Sequence, residues 1–239
     1  MREYQMKYAA AIAAVTIASG SALAGFDADW NGFYGYHDAV RVDNTGSGGV
    51  INETFNAGHF HFVYTDVGGD RGLGQFSDGS FSTFCIELQS IANGSTTYEI
   101  DSIQNAPNPT GGAGQGPYDN ADANEVNAVM AAAVALGWIN WDLSDNGMTK
   151  SQAAAVQGMV WKVVFDNAVV TAERSDVAAD MAILQAQIDA NPNASIDNLR
   201  AMLSADSQDQ LFIVPLPTAA FAGLMTLAGI GGIKRLRRS

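Results

Sequence analysis

Apolar and polar positions alternate along the first part of the chain, and the period changes near its middle. Asp38-Ala39-Val40-Arg41-Val42 alternates, and His59 to Tyr64 is a run of aromatic and β-branched residues, both patterns of strands. Clusters of Gly, Asn, Asp and Ser at 44–49, 68–74 and 77–80 punctuate these runs as turns. Ser82 to Leu88 reads as a further strand, with Phe84, Ile86 and Leu88 on one face and Thr83, Cys85 and Glu87 on the other. A Pro/Gly-rich stretch at 105–116 closes this part, and helical spacing follows. Asp122 and Glu125 form a capping-box pattern ahead of the stripe Val126, Val129, Met130, Ala133 and Leu136. A second helix opens at Thr149, with Gln152 three residues on, and runs to about Asp166. A third carries Val177, Met181, Leu184 and Ile188 and stops before Pro192. A fourth, short one is predicted over Ile196 to Leu203, and a closing strand over 209–214. The expected body, 25–213, is thus mainly β over 25–104 and mainly helical over 117–205. That is an α+β domain: an antiparallel β-sandwich or barrel-like part, a block of about four helices and a last strand.

The two ends read as sorting signals. Residues 1–24 have Arg2 and Lys7 ahead of an apolar run from Tyr8 to Ala18, and Ala22-Leu23-Ala24 supplies a small-x-small cleavage pattern before Gly25. Met6-Lys7 is an alternative start that removes Glu3 from the basic region. At the other end, Val214-Pro215-Leu216-Pro217 precedes the uncharged segment Thr218 to Ile233 and the basic cluster Lys234, Arg235, Arg237 and Arg238. As a helix that segment would be about 24 Å long, short against a hydrocarbon core of about 30 Å. The basic cluster would hold the tail on the cytoplasmic side. These three parts, in 214–239, resemble the PEP-CTERM sorting signals of Gram-negative bacteria in their Val-Pro-Leu-Pro-Ala variant, with Thr218 where the variant usually has Ala. The resemblance implies processing by an exosortase-type membrane enzyme, a transient membrane anchor, and a final place on the outer surface or in the exopolysaccharide matrix of a biofilm. A simple tail anchor is the alternative.

Charge sharpens this picture. The 239 residues carry 12 Lys+Arg against 25 Asp+Glu, a net −13. All the acids but Glu3 fall in 25–214, which hold only six bases (Arg41, Arg71, Lys150, Lys162, Arg174 and Arg200), so the body stands at −18. A surface of that sign repels nucleic acid. The single Cys excludes an internal disulfide and zinc sites of the paired CxxC kind.

Chemistry is concentrated in two places. The helix from Ala153 to Phe165 is apolar nearly all round and should be buried. Gln157 stands inside it, and a buried amide without partners costs about 1–3 kcal/mol, so something must meet it. The one thiol, Cys85, lies on a strand. Phe84-Cys85-Ile86 together with Val156-Gln157-Gly158-Met159-Val160-Trp161 resembles the paired motifs of the thioester domains of bacterial surface adhesins, although Gly158 is often polar there. The resemblance implies that the Cys85 sulfur and the Gln157 side-chain carbonyl join as an internal thioester with loss of ammonia. A surface amine or hydroxyl would then attack, and Phe84, Ile86, Val160 and Trp161 would line a dry pocket. Such attachment is a single turnover, not enzymatic catalysis, and calls for no cofactor.

Other patterns are weaker. His59-x-His61 places two rings on one strand face, a metal pair or, more simply, a half-exposed face. Asp142 to Gly147 begins like a calcium loop but has Ala153 at the twelfth position, which makes it an interhelix turn. Two further functions stay open: a non-reactive structural protein of the biofilm matrix, and a noncovalent glycan-binding module using Trp30, Tyr34, Tyr36, Trp138 and Trp141.

Overall fold

The computed structural model describes residues 23–44, 51–66, 79–88, 91, 92, 94–107, 117–165 and 168–214. The expected leader, apart from its last two residues, and the expected tail from Pro215 through Lys234, Arg235, Arg237 and Arg238 lie outside the described residues. Among the described residues, no helix is long and apolar enough to cross a membrane.

Among the described residues, seven strands form one antiparallel sheet. They are β1 (Leu23–Asn44), β2 (Ile51–Asp66), β3 (Ser80–Thr83), β4 (Ser95–Asp101), β5 (Val169–Ala172), β6 (Leu199–Leu203) and β7 (Gln210–Ile213). Their spatial order is β3-β2-β1-β4-β6-β7. The long β1 pairs with β2 along one edge; on the other it takes β4 against Leu23–Asp29 and β5 against Val40–Asp43. β1 begins just ahead of the cleavage point expected before Gly25. The α+β expectation is met, with three α-helices among the described residues: α1 (Asn120–Ala135), α2 (Lys150–Val164) and α3 (Ser175–Ala190).

The two ends of the strand order meet. Beyond β3 the chain runs on through Phe84 to Ile86, and Cys85 stands opposite Gln210 of β7 in an isolated antiparallel bridge. Leu211 N donates to Phe84 O at 2.9 Å, and Ile86 N donates to Asp209 O at 3.1 Å. Thr83 Oγ1 reinforces this seam by donating to Leu211 O.

Burial follows the alternation where one face is dry: Phe26 and Ala28, then Val40 and Val42, point inward along β1. On β2 both faces are covered. Phe62 stacks on Phe81 at 5.5 Å and meets Tyr98 edge-on, while Phe55 meets Trp161 of α2 at 5.8 Å. The strand expected over Ser82–Leu88 is β3 only as far as Thr83 and then an isolated bridge at Cys85, and both of its faces are covered, since Ser82 through Glu87 are all buried.

Three helical expectations need amendment. The first helix is capped by Asp119, whose carboxylate accepts from Ala121 N and Asp122 N while Asp122 returns the bond, so the box lies one pattern earlier than Asp122/Glu125. The expected fourth helix at Ile196–Leu203 is strand β6, held between β4 and β7. β5 lies inside the stretch read as mainly helical. By contrast α2 opens with a complete capping box of Thr149 and Gln152. α3 spans the expected stripe, with Val177 and Leu184 buried.

Candidate functional site

α2 is the buried centre of the helical layer. Every residue from Ala153 to Trp161 is buried, because the helix packs on β1 and β2 on one side and on α1 and α3 on the other. At Gly158 the helix faces both β1 and α3: a Cβ there would meet Val40 Cγ1 at 3.4 Å and Met181 Cε at 3.5 Å.

The structure brings Gln157 and Cys85 together. Gln157 Oε1 accepts from Cys85 N at 2.9 Å, and Gln157 Nε2 donates to Cys85 O at 2.8 Å. The seam explains why those two backbone groups are free to receive it. In the antiparallel bridge with Gln210, the ladder bonds are made by Phe84 and Ile86, which leaves the Cys85 N–H and C=O pointing to the opposite edge. Gln157 takes the place that another strand would take there.

The surroundings are dry. Phe84, Cys85, Ile86, Gln157 and Val160 are fully buried and Trp161 is 1% exposed. Burial pushes the free Cys85 thiol far above its usual range, an effect opposed by the Trp161 indole and by the backbone N–H groups of Cys85 and Glu87. The Trp161 Nε1–H acts on the sulfur from beyond ordinary hydrogen-bond geometry, and it has no hydrogen-bond partner among the described residues. Such an orphan buried donor next to a sulfur calls for an explanation.

Sequence reading missed the groups that complete the surroundings. Glu87 is 1% exposed and its Oε1 accepts from Asp209 N at 2.7 Å; Asp209 Oδ1 accepts from Ser204 N at 2.7 Å. Burial first, and the neighbouring Asp209 second, raise the Glu87 pKa to about 8. The Tyr118 hydroxyl donates to Ile86 O. The acid at 87 was visible in the strand pattern, but the turn that puts Asp209 beside it, over a hundred residues later, leaves no local signal.

His59 is fully buried and not on a half-exposed face. Its ring stacks on Phe84 at 4.9 Å and its Nε2 bonds Leu143 O at 2.8 Å. Burial lowers its pKa to about 4. No cluster fit to hold a metal occurs among the described residues. Asp142 and Asp145 turn their carboxylates onto the backbone N–H groups of Ser144, Gly147 and Met148, as an interhelix turn requires. The aromatic residues considered for glycan binding do not share one exposure: Trp141 is 60% exposed, Trp138 is buried, and Trp30 and Tyr36 are half-buried. The Tyr34 side chain lies outside the described residues.

No protein-family model matches this chain, and neither the curated proteins nor the solved structures include a significant match.

Proposed function

We propose that this is an exported, acidic, surface-tethered protein of adhesin type that forms a thioester between Cys85 and Gln157 and uses it for covalent attachment. The observation that carries the reading is the two-point docking of the Gln157 carboxamide on the Cys85 backbone in the dry interior. The Cys85 N–H that meets Oε1 is placed to stabilise the oxyanion of a tetrahedral intermediate. In formation, the sulfur bonds to the side-chain carbonyl carbon of Gln157, the C–N bond breaks, and ammonia leaves with the thiol proton. In attachment, an amine nitrogen bonds to the same carbon, the C–S bond breaks, and the thiol is restored with a proton from the amine. Microscopic reversibility gives the entering nitrogen the place that Nε2 held, where Cys85 O accepts from it. A hydroxyl would give an ester by the same steps.

The order of parts in 214–239 supports delivery by an exosortase-type enzyme through a transient membrane anchor, with the partner a polymer or protein of a cell surface or biofilm matrix. The body's charge of −18 supports a partner other than nucleic acid.

Intact mass of the purified protein tests the reading. A species lighter by one ammonia, without a titratable thiol and converted by methylamine to its adduct, is expected. Full mass with a titratable thiol overturns it and leaves the Gln157–Cys85 contact as a structural device of a matrix protein.

A further inference from the structure

Three elements enclose an open cleft of about 260 Å³ at the start of α1. It is lined by Ser102 and Gln104, at and inside the short 3₁₀ turn Ile103–Asn105, by Asn120, Asn124 and Asn127 of α1, and by Arg200 of β6. Spacings of four and three put the asparagines on one stripe of the helix. Asn127 ties α1 to the chain entering β6: its Nδ2 donates to Ala123 O at 2.9 Å and its Oδ1 accepts from Ile196 N at 3.3 Å. Ile103 and Leu199, both buried, add an apolar part to the lining.

The charge of the cleft is opposite to that of the body. Acids outnumber bases four to one over 25–214, yet no lining residue is acidic. Of the four acids that flank the lining residues in sequence, three are turned onto backbone. Asp101 Oδ1 accepts from Ser102 N at 2.7 Å, Asp119 Oδ1 accepts from Ala121 N and Asp122 N, and Asp122 Oδ2 accepts from Asp119 N. The fourth, Glu125, falls about 100° round the helix from Asn124. Arg200 is thereby left without a carboxylate. Among the described residues Arg41 and Arg174 each hold an aspartate, whereas Arg200 takes part in no ion pair. Its Nη1 donates to Leu199 O at 2.8 Å, which anchors the guanidinium and leaves the other N–H donors of the fork unused. The Ser102 hydroxyl and the carboxamides of Gln104, Asn120 and Asn124 make no hydrogen bond to other described residues.

These groups define a ligand chemistry. A carboxamide presents a donor and an acceptor together and so matches a sugar hydroxyl, itself both; a guanidinium with free donors takes a carboxylate by two parallel bonds. The volume lies below the range of about 300–1,000 Å³ that encloses a whole small molecule, so the cleft suits one unit of a chain that continues into solvent. We infer that this cleft binds a uronic acid unit of a polysaccharide noncovalently, its carboxylate on Arg200 and its hydroxyls on Ser102, Gln104, Asn120 and Asn124. The body's −18 opposes a densely charged polyanion, so the polymer is one whose acidic units are spaced among neutral ones. Screening within about 8 Å at physiological salt leaves the single contact standing. The site is independent of the thioester reading and holds its polymer whether or not Cys85 and Gln157 react.

The test is NMR titration of the full chain, followed at the side-chain amides of Gln104, Asn120 and Asn124 and at the Arg200 Nε–H. The probes are the methyl glycosides of glucuronic and galacturonic acid, with methyl glucoside and methyl galactoside as neutral counterparts and acetate as the bare carboxylate. At least one uronide is expected to shift these signals at millimolar concentration, and to bind about tenfold or more tightly than its neutral counterpart or acetate. Arg200→Gln is expected to abolish the preference for the uronide. Asn124→Ala, at an exposed helical position where alanine is favoured, keeps the fold and is expected to weaken uronide binding several-fold. Signals unmoved by either uronide overturn the inference. Acetate binding as tightly as the uronide reduces the cleft to an adventitious anion spot, and a neutral glycoside binding as tightly removes the carboxylate from the ligand; either result overturns it too. So does wild-type affinity in Asn124→Ala, or an unchanged preference in folded Arg200→Gln.

Discussion

The Gln157 carboxamide does for Cys85 what a neighbouring strand does for an ordinary strand residue, accepting from its N–H and donating to its C=O. Truncating it strands both backbone groups in a dry interior and opens a cavity. Each unsatisfied group costs about 1–3 kcal/mol. Gln157→Ala is therefore expected to lower the unfolding free energy by about 3 kcal/mol or more in urea titration. Both losses are taken against the methylamine-opened wild type, which has no cross-link and keeps an amide N–H on residue 157; there Cys85→Ala removes only a small, weakly polar group and leaves the docking bonds intact, so a loss of about 1 kcal/mol is expected. Equal losses in the two variants would contradict the strand-surrogate role. The demand for a partner was legible in the sequence, because one amide stood in an otherwise apolar helix. The partner was legible only through its resemblance to paired motifs, since the bonds are made by backbone atoms 72 positions away and backbone atoms carry no residue-type signal.

Among the elements, α2 announced itself most clearly. Its capping box and all-round apolarity follow from a helix enclosed by the sheet and two other helices. Gly158, an anomaly in the motif, is explained by Val40 and Met181 across the gap. The contacts of 3.4 and 3.5 Å are ordinary van der Waals distances, so a methyl group fits where a long polar chain does not. Because Ala outranks Gly in a helix interior by about 1 kcal/mol, Gly158→Ala is expected to raise the melting temperature by about 2–4 °C. A lowered melting temperature would show that the β1–α2 spacing tolerates no methyl group. Elements were misread where neighbours overrule local preference. Leu199 to Leu203 is rich in helix formers, yet β4 and β7 claim it from both sides, and Asn198 just before it has φ 62°, a left-handed value that no helix continues through. The short β5, lying along the end of β1, offers four residues and little pattern.

The molecule as a whole encloses its sheet at one seam and places a buried ionisable group on either side of it, Glu87 beyond Cys85 and His59 against Phe84. Their shifts oppose each other. Glu87 is raised from 4.5 to about 8, so the folded state holds a proton that the unfolded chain has lost, and stability falls as pH rises through that interval. His59 is lowered from 6.5 to about 4, so its contribution is complete above pH 6.5 and fades as pH falls toward 4. Each changes the unfolding free energy by about 1.4 kcal/mol per pH unit while it titrates in only one of the two states. Between pH 4.5 and 6.5 the two slopes cancel, and above 6.5 only Glu87 remains. Denaturant unfolding at a series of pH values is therefore expected to give a plateau up to about pH 6.5, then a loss of about 2 kcal/mol by pH 8. The charge of −18 on the body adds self-repulsion in the same direction as the carboxyl ionises. In Glu87→Gln the decline above pH 6.5 should vanish, while the plateau below it turns into a slope, because His59 then acts without its counterweight. A variant that still weakens from pH 6.5 to 8 as the wild type does would place the responsible proton on some other group and remove the seam carboxyl from the molecule's response to pH.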